Sequence, residues 1–81
     1  METLWKVSTG GRTLYLLTNT RFKSTGKEIA KHFAIEKILK IKMPKRVLYK
    51  TPKQERAYEN TTVIEINYID ITNKKSIRDI K

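Results

Sequence analysis

The chain has no cysteine, three glycines, two prolines, one tryptophan and one histidine among its 81 residues, and only 8 acidic side chains against 18 basic ones. Each shortage excludes something. Without cysteine there is no disulfide framework, no thiolate nucleophile and no thiolate zinc site, which fits a reducing, cytoplasmic setting. A single histidine, His32, leaves little for general acid–base chemistry or imidazole metal ligation. With Gly10-Gly11 adjacent and Gly26 alone, there is no glycine-rich loop to cradle a phosphate. No run of eighteen apolar residues exists and METLWKVST has no apolar stretch of signal-peptide length, so neither a membrane partner nor a secretory leader is expected.

The acidic shortage leaves a formal charge of +10. It is unevenly spread: residues 1–50 hold 12 basic and 3 acidic groups, a balance of +9, whereas residues 51–81 are nearly neutral at +1. From Lys37 to Lys53 seven basic residues follow one another with no acid between them. Such a local field without counter-charge points to an anionic partner. Eighty-one residues form one small domain, expected over 1–73 with a charged tail at 74–81.

Thr3 to Asn19 reads as a β-hairpin. Gly10-Gly11 suits the positive φ angles of a two-residue type I′ turn between two segments rich in strand formers. That turn sets Thr9 opposite Arg12, Val7 opposite Leu14 and Trp5 opposite Leu16, with Trp5, Val7, Leu14 and Leu16 on a core-facing side. After a polar connection, Thr25 with Glu28 has the capping-box spacing T-x-x-E and predicts a helix starting there and running to about Ala34. Ile29, Ala30, Phe33 and Ala34 form its apolar stripe, and Lys27, Lys31 and His32 lie on or near its exposed side.

In EKILKIKMPKRVLY, Leu39, Ile41 and Met43 alternate with Lys40 and Lys42, the period of a half-buried strand. Pro44 ends it, and Lys45–Lys50 reads as a further strand. Thr51–Thr61 is polar and predicts a loop with one helical turn around Gln54 to Tyr58. TVIEINYIDIT, residues 62–72, is apolar enough for a central strand, and the final residues predict a frayed tail or a weak helix. The order β-β-α-β-β-β gives an α+β domain: a small, mostly antiparallel sheet of four to five strands with one helix on one face.

The run KEIAKHFAI also resembles the first helix of a helix-turn-helix, with Ala30 at the small inner position, Ala34 at the turn and Ile35 as the apolar residue after it. Ten residues beyond Ala30 the motif wants an aliphatic anchor, and this chain has Lys40. Its half that would read DNA is therefore not matched, and the strand reading is preferred.

Catalysis finds little support, and the chain reads as a non-enzyme. The eight acids are scattered, so no Mg²⁺ cluster is expected. His32 with Glu28 and Glu36 imitates a metal site by spacing, but capping by Glu28 and pairing of both carboxylates with lysines is the simpler reading. A metal-free ribonuclease using Lys, Arg, Tyr and His is the one catalytic class the composition leaves open.

Binding is what remains, with no metal or cofactor. On a pleated strand Lys40 and Lys42 would project about 7 Å apart, close to phosphate spacing. The expected surface comprises Lys27, Lys31, Lys37, Lys40, Lys42, Lys45, Arg46 and Lys50, binding DNA or RNA through phosphates with low sequence selectivity. Tyr15, Tyr49 or Tyr58 would stack on bases only if exposed. A partner of another class, an acidic protein surface held by an inhibitor or adaptor, fits the same charge. An open sheet edge would also let two copies pair as a homodimer.

Overall fold

In the computed structural model of the chain, the structure describes residues 2–44, 51–66 and, for the backbone, 77–80. Strands β1 (Glu2–Thr9) and β2 (Arg12–Asn19) form the expected hairpin. Gly10 and Gly11 take φ angles of 57° and 74°, a region closed to most L-residues. The register is the one the turn dictates, Thr9 opposite Arg12, Val7 opposite Leu14 and Trp5 opposite Leu16.

The hairpin is the centre of a four-stranded sheet, order β3-β1-β2-β4. Strand β3 (Thr62–Glu65) pairs antiparallel with β1, and β4 (Ile77–Ile80) pairs parallel with β2. Two expectations change here. Among the described residues the strand beginning at Thr62 is an edge strand, not a central one, and it ends at Glu65; residues 67–72 of its predicted length lie outside them. Residues 77–80, expected as a frayed or helical tail, are that parallel fourth strand. A pairing between positions more than sixty apart leaves no mark in local periodicity.

Helix α1 (Lys23–Ala34) crosses one face of the sheet. Its seat is made of small residues: Gly26, Ala30 and Ala34, four apart, are buried, and Ile29 and Phe33 are only half-buried. Small side chains let the helix backbone approach Trp5, Val7 and Leu16, which are 0–3% exposed. Burying those three side chains contributes on the order of 5–8 kcal/mol of gross stabilisation. The indole Nε1 of Trp5 donates to Thr18 Oγ1 at 2.8 Å, and Thr18 Oγ1 donates in turn to the carbonyl of Thr3 at 3.4 Å, so the polar atoms of this core are satisfied.

The capping box expected at Thr25 and Glu28 is not formed. The helix begins at Lys23, with extended Phe22 as its N-cap and no side-chain cap. Thr25 is thus already helical and cannot take the half-in backbone of a capping residue. Glu28 is engaged elsewhere.

The predicted strand at Leu39–Met43 is also overturned. Beyond Ala34 the chain continues as a π-helical segment, Ile35–Leu39, which ends at Lys40 in the left-handed region (φ 58°, ψ 31°). Residues 41–44 carry no regular structure. The reason is a competing helical spacing: Ile35, Ile38 and Leu39 stand at i, i+3 and i+4. Fully buried Ile35 joins Met43 and Ala57, and Leu39 and Ile41 pack beside them. The hairpin turn helps hold the segment, since a Cβ on Gly10 would lie 2.7 Å from Leu39 Cδ2 and 3.4 Å from Ile38 Cγ2. A side chain there would push the tip of Leu39 aside, and the positive φ of Gly10 disfavours one as well. The expected alternation of burial survives without the ladder: Leu39, Ile41 and Met43 are inward, Lys40 and Lys42 exposed.

A second helix, α2 (Pro52–Glu59), replaces the expected loop. It has the capping box that α1 lacks: Thr51 Oγ1 accepts from the Gln54 amide at 3.2 Å, and Gln54 Oε1 accepts from the Thr51 amide at 2.8 Å, with Pro52 in the first turn. The signal T-P-K-Q was present in the sequence. The α+β class therefore holds, with two helices and a π segment in place of one helix. No second helix follows α1 closely enough to complete a helix-turn-helix among the described residues. The predicted strand 45–50 lies outside them.

Candidate anion-binding site

The basic side chains gather where the hairpin tip meets the π segment. A hollow of about 360 Å³ opens between the start of β2 and Ile35–Leu39, lined by Arg12, Thr13, Leu14, Lys37, Ile38 and Lys40. Three cations and a hydroxyl surround it, with no carboxylate among the described lining residues. A second cleft shares Lys40 and is lined by Lys42, Glu36 and Met43. Its carboxylate is partly committed, because Glu36 Oε1 accepts the Met43 amide at 3.0 Å and so ties the irregular segment back to the π turn. On the other side of the hairpin tip, Lys53, Arg56 and Asn60 rim a third hollow with Leu39 and Ile41 among its apolar lining.

Local structure explains these positions. Arg12 is fixed by the hairpin register beside the turn. Lys37 is carried by the π segment on the flank that faces β2. Lys40 ends the segment in a left-handed conformation that costs a non-glycine residue on the order of 1–2 kcal/mol, and this backbone reversal places it between the first two hollows. Gln54 Nε2 donates to the Lys42 carbonyl at 2.7 Å, so α2 pins the segment that carries Lys42. Among the described residues, Lys37, Lys40 and Lys42 form no ion pair with a carboxylate.

The lysines of α1 are not brought to this place. Lys23 Nζ pairs with Glu65 on β3 at 2.7 Å, and exposed Lys27 lies one turn further along that flank. Lys31 is turned to α2, where its Nζ stands 3.6 Å from the centre of the Tyr58 ring. Of the expected surface, then, Lys37, Lys40 and Lys42 come together, Lys27 and Lys31 stand apart, and Lys45, Arg46 and Lys50 lie outside the described residues. Arg12, Lys53 and Arg56 were missed. Only the position of Arg12 next to the Gly-Gly turn hinted at a tip residue; its approach to Lys37 and Lys40 depends on docking across 25 positions.

The Glu28 carboxylate, expected as a cap, instead accepts from the Tyr58 hydroxyl. His32 Nε2 lies 3.7 Å from the other Glu28 oxygen, and the His32 and Tyr58 rings meet edge to face at 5.9 Å. This cluster clamps α2 to α1. The hydrogen bond to Glu28, then burial, then the Glu28 charge push the Tyr58 phenol up from 10.0 to about 12, because each favours the neutral phenol. Tyr58 and Tyr15 are half-buried, which leaves neither as an open stacking surface; Tyr49 lies outside the described residues.

No group of three or more His, Cys, Asp or Glu side chains is placed to hold a metal ion among the described residues. Nor is any described helix long and apolar enough to cross a membrane. Comparison with protein-family models, with curated proteins and with solved structures yields no match.

Proposed function

We propose that this protein is a non-enzymatic module that binds nucleic acid through backbone phosphates, with low sequence selectivity, in the cytoplasm. One observation carries the reading: Arg12, Lys37 and Lys40 converge on a single hollow with no carboxylate among its described lining residues. Lys42 extends this rim on one side, and Lys53 and Arg56 lie across the hairpin tip. Cations gathered in this way repel one another in the unliganded protein and gain when phosphates replace their counterions. Contacts to phosphates carry no sequence information, so selectivity among sequences is low.

An acidic protein surface is the second reading. The third hollow favours it, because its apolar lining under Lys53 and Arg56 suits a partner that presents carboxylates around an apolar side chain.

Fluorescence anisotropy with labelled DNA and RNA over a salt series tests the proposal. If four cations engage phosphates, the logarithm of the association constant should fall against the logarithm of salt with a slope of about −3. Lys37→Glu combined with Lys40→Glu should abolish binding and leave the circular dichroism spectrum unchanged, because Lys37 and Lys40 are exposed. Absence of binding at about 50 mM salt, where phosphate contacts are strongest, would remove the nucleic-acid reading.

A further inference from the structure

We infer that the nucleic acid this protein takes is single-stranded, with one unpaired base stacked on Phe22. The inference rests on the phosphate-binding reading above and adds the part of the ligand that phosphates do not specify. Phe22 is 60% exposed, more than any other large hydrophobic side chain among the described residues. A lone exposed apolar residue is ordinary; three features set this one apart. The guanidinium of Arg21 stands over its ring, 5.4 Å from the centre, so a cation covers one side of the apolar plane. Phe22 is held in place at the backbone, where Thr20 Oγ1 donates to its carbonyl at 2.7 Å and the Gly26 amide donates to the same oxygen at 3.3 Å. The first turn of α1 contains no acidic residue of its own, and the one carboxylate that reaches it among the described residues, Glu65, is paired with Lys23.

An exposed aromatic ring under a guanidinium suits a nucleobase with its phosphate. Every base offers a π face to stack on the side of the ring away from Arg21, and the guanidinium over the other side supplies the cation for the adjoining phosphodiester. Duplex DNA or RNA cannot use such a platform, since its bases are already stacked and paired. Phe22 stands at the start of α1 as its extended N-cap, and Lys37 stands on the π segment that continues the helix, fifteen residues on. The platform and the Arg12–Lys37–Lys40 hollow thus lie toward opposite ends of this helical run, separated by roughly 25 Å at helical rise. A single strand within the usual site size, on the order of 4–16 nucleotides, reaches from one to the other.

The experiment compares a labelled oligothymidylate of about 12 nucleotides with a duplex of equal length, by anisotropy, on wild type, Phe22→Ala, Phe22→Trp and the Lys37→Glu/Lys40→Glu double variant. Wild type should prefer the single strand. Phe22→Ala should lower single-strand affinity about tenfold and leave duplex affinity and melting temperature unchanged. In Phe22→Trp binding should be retained, and the new indole should be quenched by the oligothymidylate but not by inorganic phosphate. Equal affinity of Phe22→Ala and wild type for the single strand, with the lysine double variant inactive, would overturn this inference and leave the phosphate reading standing. If wild type binds neither nucleic acid, both fall. A loss of polyglutamate binding in Phe22→Ala as large as the loss of oligothymidylate binding would overturn the base assignment in favour of an acidic polypeptide.

Discussion

Replacing Lys40 with glycine should strengthen the fold and weaken the interface at once. Lys40 is the non-glycine residue with positive φ among the described residues. Holding an L-residue in the left-handed region costs about 1–2 kcal/mol. Glycine removes that cost but adds freedom to the unfolded chain worth about 0.5–1 kcal/mol, so the net gain is about 0.5–1 kcal/mol. In a domain of this size the melting temperature should rise by roughly 2–8 °C, followed by the fluorescence of buried Trp5. The same change deletes one cation from two adjoining hollows. The salt slope of nucleic-acid binding should become shallower by about 0.8, and affinity at 0.1 M salt should fall about fivefold. Lys40→Ala separates the effects, because alanine loses the charge yet meets the same backbone restriction; it should bind as weakly and melt no higher than wild type. A glycine variant that melts at or below the wild-type temperature, or an alanine variant that gains as much as glycine, refutes the backbone argument.

Gly26→Ala should destabilise the protein even though alanine is the better helix former by about 1 kcal/mol. Its Cβ would come within 2.6 Å of Thr18 Oγ1 and 3.0 Å of Thr20 Oγ1. Thr18 is 1% exposed and its hydroxyl holds the Trp5 indole, so it has little room to yield, and the expected loss is about 1–3 kcal/mol in denaturant melts with a shifted Trp5 emission. Tyr58 predicts an alkaline limit. Its phenol titrates at about 12 in the folded protein against 10.0 for the ordinary group, so the unfolded chain releases this proton first. The stabilisation from the Tyr58–Glu28 bond is therefore complete below pH 10 and is lost as pH rises from 10 to about 12. Absorbance titration at the phenolate band should show a late component from Tyr58, and Tyr58→Phe should remove it; its persistence in the variant would count against the assignment.

The hairpin was legible in the sequence. Two adjacent glycines, strand formers on each side and a period of two fixed turn and register together, because that information lies within nine residues of the turn; the burial of Leu4, on the face opposite Trp5 and Val7, did not follow from the alternation. The exposure of Lys40 and Lys42 was legible too, since alternation marks which side chains point inward whatever the backbone between them. The shape of that segment was not. Leu39, Ile41 and Met43 fit a strand, Ile35, Ile38 and Leu39 fit a helix, and the choice fell to the helical spacing where bare Gly10 lets Leu39 pack against the hairpin tip. Glu28 likewise had three partners within local reach, a cap, a lysine and His32, and tertiary packing added Tyr58 from thirty positions away.

Local sequence thus determined the conformations that depend on neighbours along the chain: the positive-φ turn, the Thr51–Gln54 cap and the alternation of burial. Tertiary structure alone decided which charges meet. Arg12 reaches Lys37 and Lys40, and Lys27 does not, because the sheet and the π segment bring distant positions together while a helix separates near ones onto opposite flanks.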